Sequence, residues 1–269
     1  MNSVTKILTV VLLGASVALF VYLYGSVQKV IDDREAIASI EAAVTERLKL
    51  IREAEIVFLE VNGRYTANWD SLSDFVQHGQ VPILERREII EQLAYGGEKV
   101  TVEIDTLGFI SAKERIFRKN YTLNASDNGT FLGYNVKVGD NVIRNQRAYK
   151  LRVGDRESQP PFTEKGTIDS LAPLNPGDQV TKGQILISYW DYVFDPNTDL
   201  SKIGIKPGTN QYFDIFVGKV DKAGVMVQVI EVKDPSPDNP NRKETNEQKN
   251  RKPLRFGSRT DVSTAGNWE

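Results

Sequence analysis

The chain of 269 residues has no cysteine, and that removes disulfides, thiolate metal sites and cysteine nucleophiles at once. It has a single histidine, His78, so no multi-histidine metal site is available. Neither charge sign is in excess: 34 Lys+Arg stand against 36 Asp+Glu, leaving no surplus of cations with which to neutralise phosphates. Nucleic acid is therefore not an expected partner. The sequence carries no Gly-x-Ser-x-Gly elbow and no Gly-rich phosphate loop ending in Lys-Ser/Thr. Asp191, Asp195 and Asp199 alternate loosely as in a calcium loop, but they lack the central Gly and the distal Glu that such a loop requires. His78 sits where a short helix should end and reads as a surface residue. No catalytic, cofactor-binding or metal-binding residue is assigned, and the chain is not read as an enzyme; an envelope enzyme of unrecognised type is kept as an alternative function.

What the sequence does hold is a long run without charge. Residues 7–27 (ILTVVLLGASVALFVYLYGSV) contain no Asp, Glu, Lys, Arg or His. At about 1.5 Å rise per residue they span a hydrocarbon core of roughly 30 Å. A cleaved signal peptide has a shorter apolar core followed by a small-x-small site. Here the run continues through Phe20, Tyr22 and Tyr24, and no Ala-x-Ala follows, so an uncleaved signal-anchor behind a short flank (1–6) is expected and a cleaved signal is the alternative. The implied partner is the lipid bilayer. Lys6 and the amino terminus on one side nearly balance Lys29 and Arg34 on the other. A short anchor leading a large hydrophilic body is the usual export arrangement, which gives a single-pass inner-membrane protein with its C-terminal bulk in the periplasm.

From Ser26 to Asn62 there is neither Gly nor Pro, and strong helix formers dominate. Val30, Ile37, Val44, Ile51 and Phe58 recur every seven residues and mark one apolar row of an amphipathic stalk helix over 28–62. Two uses of that row are open: covering the protein's own β-sheet, or pairing with another copy or an envelope partner in a coiled-coil seam. Asn62-Gly63 should end the helix, and Asn68 or Asp70 should cap a short helix bearing Leu72, Phe75 and Val76.

The membrane helix, its amphipathic extension and the following AEIVFLEVNGRYTANWDSLSDFV (54–76) resemble the beginning of type IV pilins and type II secretion pseudopilins. The likeness covers about the first 80 residues. It implies a pilin-like architecture, a long first helix feeding an antiparallel β head, and a structural role in the envelope. It does not extend to the basic leader ending in Gly or to the Glu at the fifth mature position. Residues 213–235, with 253–269, resemble uncharacterised bacterial envelope proteins.

Beyond the stalk, a helix is expected over Ile83–Ala94 after Pro82. Strands are expected at Lys99–Ile104, Ile116-Phe117, Tyr121–Leu123, Ile185–Trp190, Tyr212–Val217 and Val225–Val232. Asp127-Asn128-Gly129 reads as a turn. Pro160-Pro161 divides the head into an α/β part (63–159) and a β-rich part (160–233). Gly139–Gln146 (GDNVIRNQ) and Gly177–Gln184 (GDQVTKGQ) echo each other, and the second resembles the GDxVxxGQxL hairpin of lipoyl-like domains in periplasmic membrane-fusion adaptors. An adaptor linking an inner-membrane complex to partners is therefore a second function to weigh. Residues 234–269 read as a disordered tail, rich in Pro, Asn and charge and tipped by Phe256 and Trp268. Trp190 and Tyr192 lie in the densest aromatic stretch. With the stalk row and the tail aromatics they are the candidate interaction residues. The fold class is α+β.

Overall fold

The computed structural model describes residues 3–92, 96–239 and 252–269. The architecture is α+β: one long, N-terminally apolar helix precedes a series of antiparallel sheets. The chain divides into two compact units, residues 1–52 with 203–269, and residues 53–202.

Helix α1 runs from Ser3 to Asn62. The stretch free of Gly and Pro makes this length possible. The helix stops where Gly63 takes φ +68° and donates its N–H to the Leu59 carbonyl at 2.8 Å, a left-handed C-terminal cap that glycine adopts at little cost. From Val11 to Ile31 the side chains are exposed; Val44, Leu48, Ile51, Ala54 and Phe58, spaced three or four apart, are buried.

In the 53–202 unit, helix α2 (Trp69–His78) begins where Asn68 Oδ1 accepts the N–H of Ser71 at 3.0 Å. Its buried face carries Leu72 and Val76. Phe75 meets Phe58 edge-to-face with ring centroids 5.1 Å apart, and Ser73 Oγ donates to the Leu200 carbonyl at 2.9 Å in a single 3-10 turn, Leu200–Lys202.

The helix expected over Ile83–Ala94 is instead the strand β1 (Gln80–Gln92), paired antiparallel with β2 (Glu98–Ser111); residues 93–95 lie outside the described residues. The segment ILERREIIEQ satisfies both a 3.6 and a 2.0 period, and pairing with the unambiguous alternation of β2 selects the strand. Opposed residues share a face, so Leu84, Arg86, Glu88, Ile90, Val100, Val102 and Ile104 fall on one side, while Glu85, Arg87, Ile89, Thr101, Glu103 and Asp105 fall on the other. A register shift between Ile83 and Leu84 separates this arm from the base of the hairpin.

Ile116-Phe117, expected as a strand, closes the short helix α3 (Ala112–Phe117). Ser111 Oγ accepts the N–H of Glu114 at 3.2 Å, so the cap wins over the β propensity of the two residues, both of which are buried.

Eight short strands then form two four-stranded sheets. They are β3 (Arg118–Asn124), β4 (Gly129–Tyr134), β5 (Asn141–Val142), β6 (Tyr149–Val153), β7 (Arg156–Ser158), β8 (Gly166–Leu171), β9 (Gln179–Val180) and β10 (Ile185–Tyr192). The sheet orders are β3-β10-β8-β5 and β7-β6-β4-β9. Their common core holds Phe131, Tyr149, Leu151, Phe162, Ile168 and Leu186. It draws on both sides of Pro160-Pro161, so the prolines do not separate two parts of the head: they sit at an irregular edge, where Pro160 and Pro161 still supply a carbonyl and a β-bridge.

The two Gly-Asp segments occupy equivalent places in this body. Gly139 N–H donates to Ile168 O and Ile168 N–H to Asp140 O, both at 2.9 Å; Gly177 N–H donates to Phe131 O and Phe131 N–H to Asp178 O, both at 2.8 Å. Asn145 and Gly183, both at positive φ, bond in the same way to the carbonyls of Phe162 and Ala125. Each Asp closes its own turn: Asp140 Oδ2 accepts from Lys137 N–H at 2.8 Å and Asp178 Oδ2 from Asn175 N–H at 2.7 Å. Each later Gln does likewise, Gln146 to Ile143 N–H and Gln184 to Thr181 N–H. Exchanging the two segments maps one set of bonds onto the other.

In the unit containing 203–269, β11 (Asp214–Lys222) and β12 (Val225–Lys233) form a hairpin through Ala223-Gly224, both at positive φ. The tail corrects the sequence expectation: residues 252–269 are ordered, and Arg255–Gly257 forms β13, paired with β12 through Val232 and Phe256. Two things order it. Leu254 and Phe256 supply buried apolar mass, and β12 offers an open edge. Arg255 and Arg259 also close on Glu231 at 3.2 and 2.7 Å. Residues 240–251 lie outside the described residues.

Candidate functional site

A cleft of about 590 Å³ in the 53–202 unit is bounded by α3, β3 and β10. Register places its rim: Tyr192 stands opposite Arg118, Trp190 opposite Asn120, and Tyr189 opposite Tyr121. The Arg118 guanidinium lies 4.1 Å from the Trp190 ring centroid and pairs with Glu114 at 2.7 Å. Trp190 meets Tyr192 edge-to-face at 5.0 Å, and Tyr121 stacks on Tyr189 at 5.2 Å. Lys119 lies 5.3 Å from the Tyr121 ring, and Arg115 faces Glu60 at 3.8 Å. The Nε of Arg118 is buried with no hydrogen-bond partner. This arrangement suits the face of a planar or anionic group. Trp190 and Tyr192, foreseen as interaction residues, do belong to one surface, yet one face of the Trp190 ring is already taken by Arg118.

The stalk row does not form one continuous exposed seam. Val30 is exposed and Ile37 half-buried, whereas Val44, Ile51 and Phe58 are buried in the folded chain. Those three serve the protein's own core and are not available to a partner. Phe256 is likewise a core residue, fully enclosed beside β12, and Trp268 is half-buried with its indole Nε1 shielded. Both lose the role of docking tips, for the same reason that the tail is ordered.

His78 Nδ1 lies 3.0 Å from Asp74 Oδ1, an exposed helix-surface pair. The three aspartates expected to be unsuited to calcium are spent separately: Asp191 pairs with Lys165, Asp195 Oδ1 accepts from Asn197 N–H, and Asp199 Oδ1 from Ser201. The Ser201 hydroxyl and Lys202 hold the Asp199 carboxyl below its usual range. Among the described residues no group of three or more potential ligands could hold a metal ion.

Two buried charged sites carry no sequence motif. Glu55 on α1 is 1 % exposed; its Oε2 accepts Thr66 N–H at 3.0 Å and its Oε1 has no partner. Burial pushes its carboxyl up to about 8 against the pull of the Thr66 hydrogen bond. Burial, and then the Glu55 carboxylate, also raise neighbouring Tyr65. In the other unit Lys206 is 1 % exposed. Its Nζ donates to Asp234 at 3.2 Å, to the Ser236 carbonyl and to Asp238. Burial raises the Asp234 carboxyl and outweighs the lowering by Ser236 N–H and Lys206. The only sequence signal for this site is the pair of acids framing Asp234-Pro-Ser-Pro-Asp238.

No protein-family model matches the chain. No curated protein matches it either. Among solved structures, the crystal structure of the Kluyveromyces lactis urea carboxylase aligns with 26 % of this chain and 6 % of its own length, at 20 % identity and a TM-score of 0.25. The chain thus spans a small fraction of that protein, and a likeness of this size carries no argument.

Proposed function

We propose that the chain is a single-pass structural or assembly protein of the bacterial cell envelope, anchored in the inner membrane with its bulk in the periplasm. The observation that carries this reading is α1. Its charge-free segment 7–27 belongs to the only helix among the described residues that is long and apolar enough to cross a membrane, and from Val11 to Val27 its side chains find no cover in the folded chain. Twenty-one residues without charge match the hydrocarbon thickness, and leaving Leu12, Leu19, Phe20 and Leu23 in water is unfavourable by about 25 cal/mol per Å² of exposed apolar surface. In this role α1 serves as both anchor and the first core element of the body, as in the pilin-like architecture.

The test is alkaline carbonate extraction of membranes. The full chain should stay in the pellet, and Leu13→Lys with Val17→Lys should move it to the supernatant. Release of the unmodified chain by carbonate would overturn the reading. Alkaline phosphatase fused after Glu269 should be active, which reports a periplasmic C-terminus.

A periplasmic adaptor is the second reading. It is supported by the exchange symmetry of the two Gly-Asp hairpins, which fits the lipoyl-like motif. Affinity capture of inner-membrane complexes through residues 118–192 separates it from the first reading.

A further inference from the structure

The β1–β2 arm is an amphipathic ribbon with one face left open. Its outward rows are Leu84 with Thr106, Arg86 with Ile104, Glu88 with Val102 and Ile90 with Val100. Leu84, Ile90, Val100, Val102 and Ile104 are all exposed, up to 63 % for Ile104. Among the described residues no third strand joins the sheet. A lone two-stranded ribbon is marginal in water, and an exposed aliphatic row on it is unfavourable unless something covers it. The opposite face carries one exposed aliphatic residue, Ile89, beside charged groups: Arg87 pairs with Glu85 at 2.6 Å and stands opposite Glu103.

The open face holds one ion pair, Arg86 to Glu88 at 3.1 Å, in its two central rows. We infer that this face docks on the same face of a second copy of the chain, about a two-fold axis lying in the contact plane and crossing the strands between those central rows. The charge pattern selects this occupant. Such an axis sets Arg86 against Glu88 of the second copy and Glu88 against its Arg86. It also lays Leu84 over Ile90, and Ile104 over Val102. Val100 falls over Thr106. In the two central rows each charge then meets its opposite and each aliphatic residue another, as an isologous contact requires. The central Arg86–Glu88 pair makes a lipid occupant unfavourable, because the charges would be buried without new partners.

From the register shift outward, Leu84–Gln92, the arm is about 31 Å long at 3.4 Å per residue. With a width of about 10 Å it covers roughly 300 Å² per copy, under half of what a stable pair of soluble proteins buries on each side. Pairing is therefore weak in solution and gains from confinement on a shared membrane. In that respect alone the inference rests on the anchored reading proposed above.

Because the native chain has no cysteine, single thiols report cleanly. Two tagged copies, one Leu84→Cys and one Ile90→Cys, are co-expressed and treated in intact membranes with a bis-maleimide matched to the ~10 Å spacing of packed sheets. The mixed pair should crosslink. Each variant against itself should not, since positions 84 and 90 lie about 20 Å apart along the strand. Arg86→Glu should reduce the mixed product at least five-fold, and Arg86→Glu with Glu88→Arg should restore it. Self-crosslinking of both single variants, no mixed product either in membranes or from the purified chain, or indifference to Arg86→Glu would each overturn the inference. Circular dichroism and trypsin resistance confirm that each variant is folded. The same crosslinking is run on the purified chain at high concentration. A product there and none in membranes counts against the anchored reading and leaves the ribbon contact standing; none in either sample refutes the contact.

Discussion

Replacing Glu55 by Gln should stabilise the 53–202 unit at pH 8 and leave it nearly unchanged at pH 5. The carboxyl is enclosed, holds one hydrogen bond from Thr66 N–H, and leaves Oε1 without a partner. Its folded value of about 8 stands above the ordinary 4.5. Below 4.5 both folded and unfolded chains carry the proton, and the group is neutral to stability. As pH rises through 4.5 the unfolded chain ionises first, so the folded state loses stability by about 1.4 kcal/mol per pH unit until the folded carboxyl also ionises near 8. The accumulated loss has a ceiling of about 5 kcal/mol, from 3.5 pH units at about 1.4 each. Gln has the shape of the protonated acid, shares its unpartnered polar atom and does not titrate. Urea unfolding followed by tryptophan fluorescence at pH 5, 6, 7 and 8 measures the difference between the two proteins, in which every other titrating group cancels. Trp69 and Trp190 report on the same unit as Glu55. A gap that opens by several kcal/mol between pH 5 and pH 8 is expected; a gap constant with pH would refute the reasoning that Glu55 is folded as a neutral acid.

Lys206→Met should cost about 3–5 kcal/mol by stranding Asp234 and Asp238, and adding Asp234→Leu should recover much of it, read from thermal unfolding of both variants. Phe256→Ala should cost about 3–5 kcal/mol, and limited proteolysis should then cut first within the last 18 residues. Arg118→Ala should expose the Trp190 ring, shifting tryptophan emission to longer wavelength and lowering stability by about 1 kcal/mol, whereas Arg118→Lys should restore only part of the shift.

The elements legible in the sequence are those decided by local chemistry. Helix α1 shows itself through an uninterrupted run of helix formers, α2 through Asn68, and β10 to β12 through short apolar, β-branched and aromatic runs next to turn residues. The failures come where distant partners decide. ILERREIIEQ has no fixed period of its own until Glu98–Ser111 lies beside it. Residues 252–269 of the polar tail are brought to order by two apolar residues and the edge of a strand more than twenty residues upstream. Ile116-Phe117 look like a strand until Ser111 is seen to cap them. The aromatic cleft was half legible, since Trp190 and Tyr192 stand out in sequence while Arg118 becomes their companion only through strand register. Glu55 was hidden in a helix full of acids, and Lys206 is separated from its partners by about thirty residues.

The crossed bonding of the two Gly-Asp hairpins sets the order in which this part of the chain can assemble. Ala125 and Phe131 wait for Gly183, Asp178 and Gln184, while Gly139 and Asn145 wait for Ile168 and Phe162. Neither half can satisfy its own backbone, and each partial product carries unpaired amide groups that only the other half can fill. On a chain emerging from its N-terminus, the two-sheet body should therefore stay incomplete until residue 186 is free. A nascent chain stalled before Gly177 should remain protease-sensitive from Arg118 onward, and one extended past Tyr192 should become resistant over the whole block.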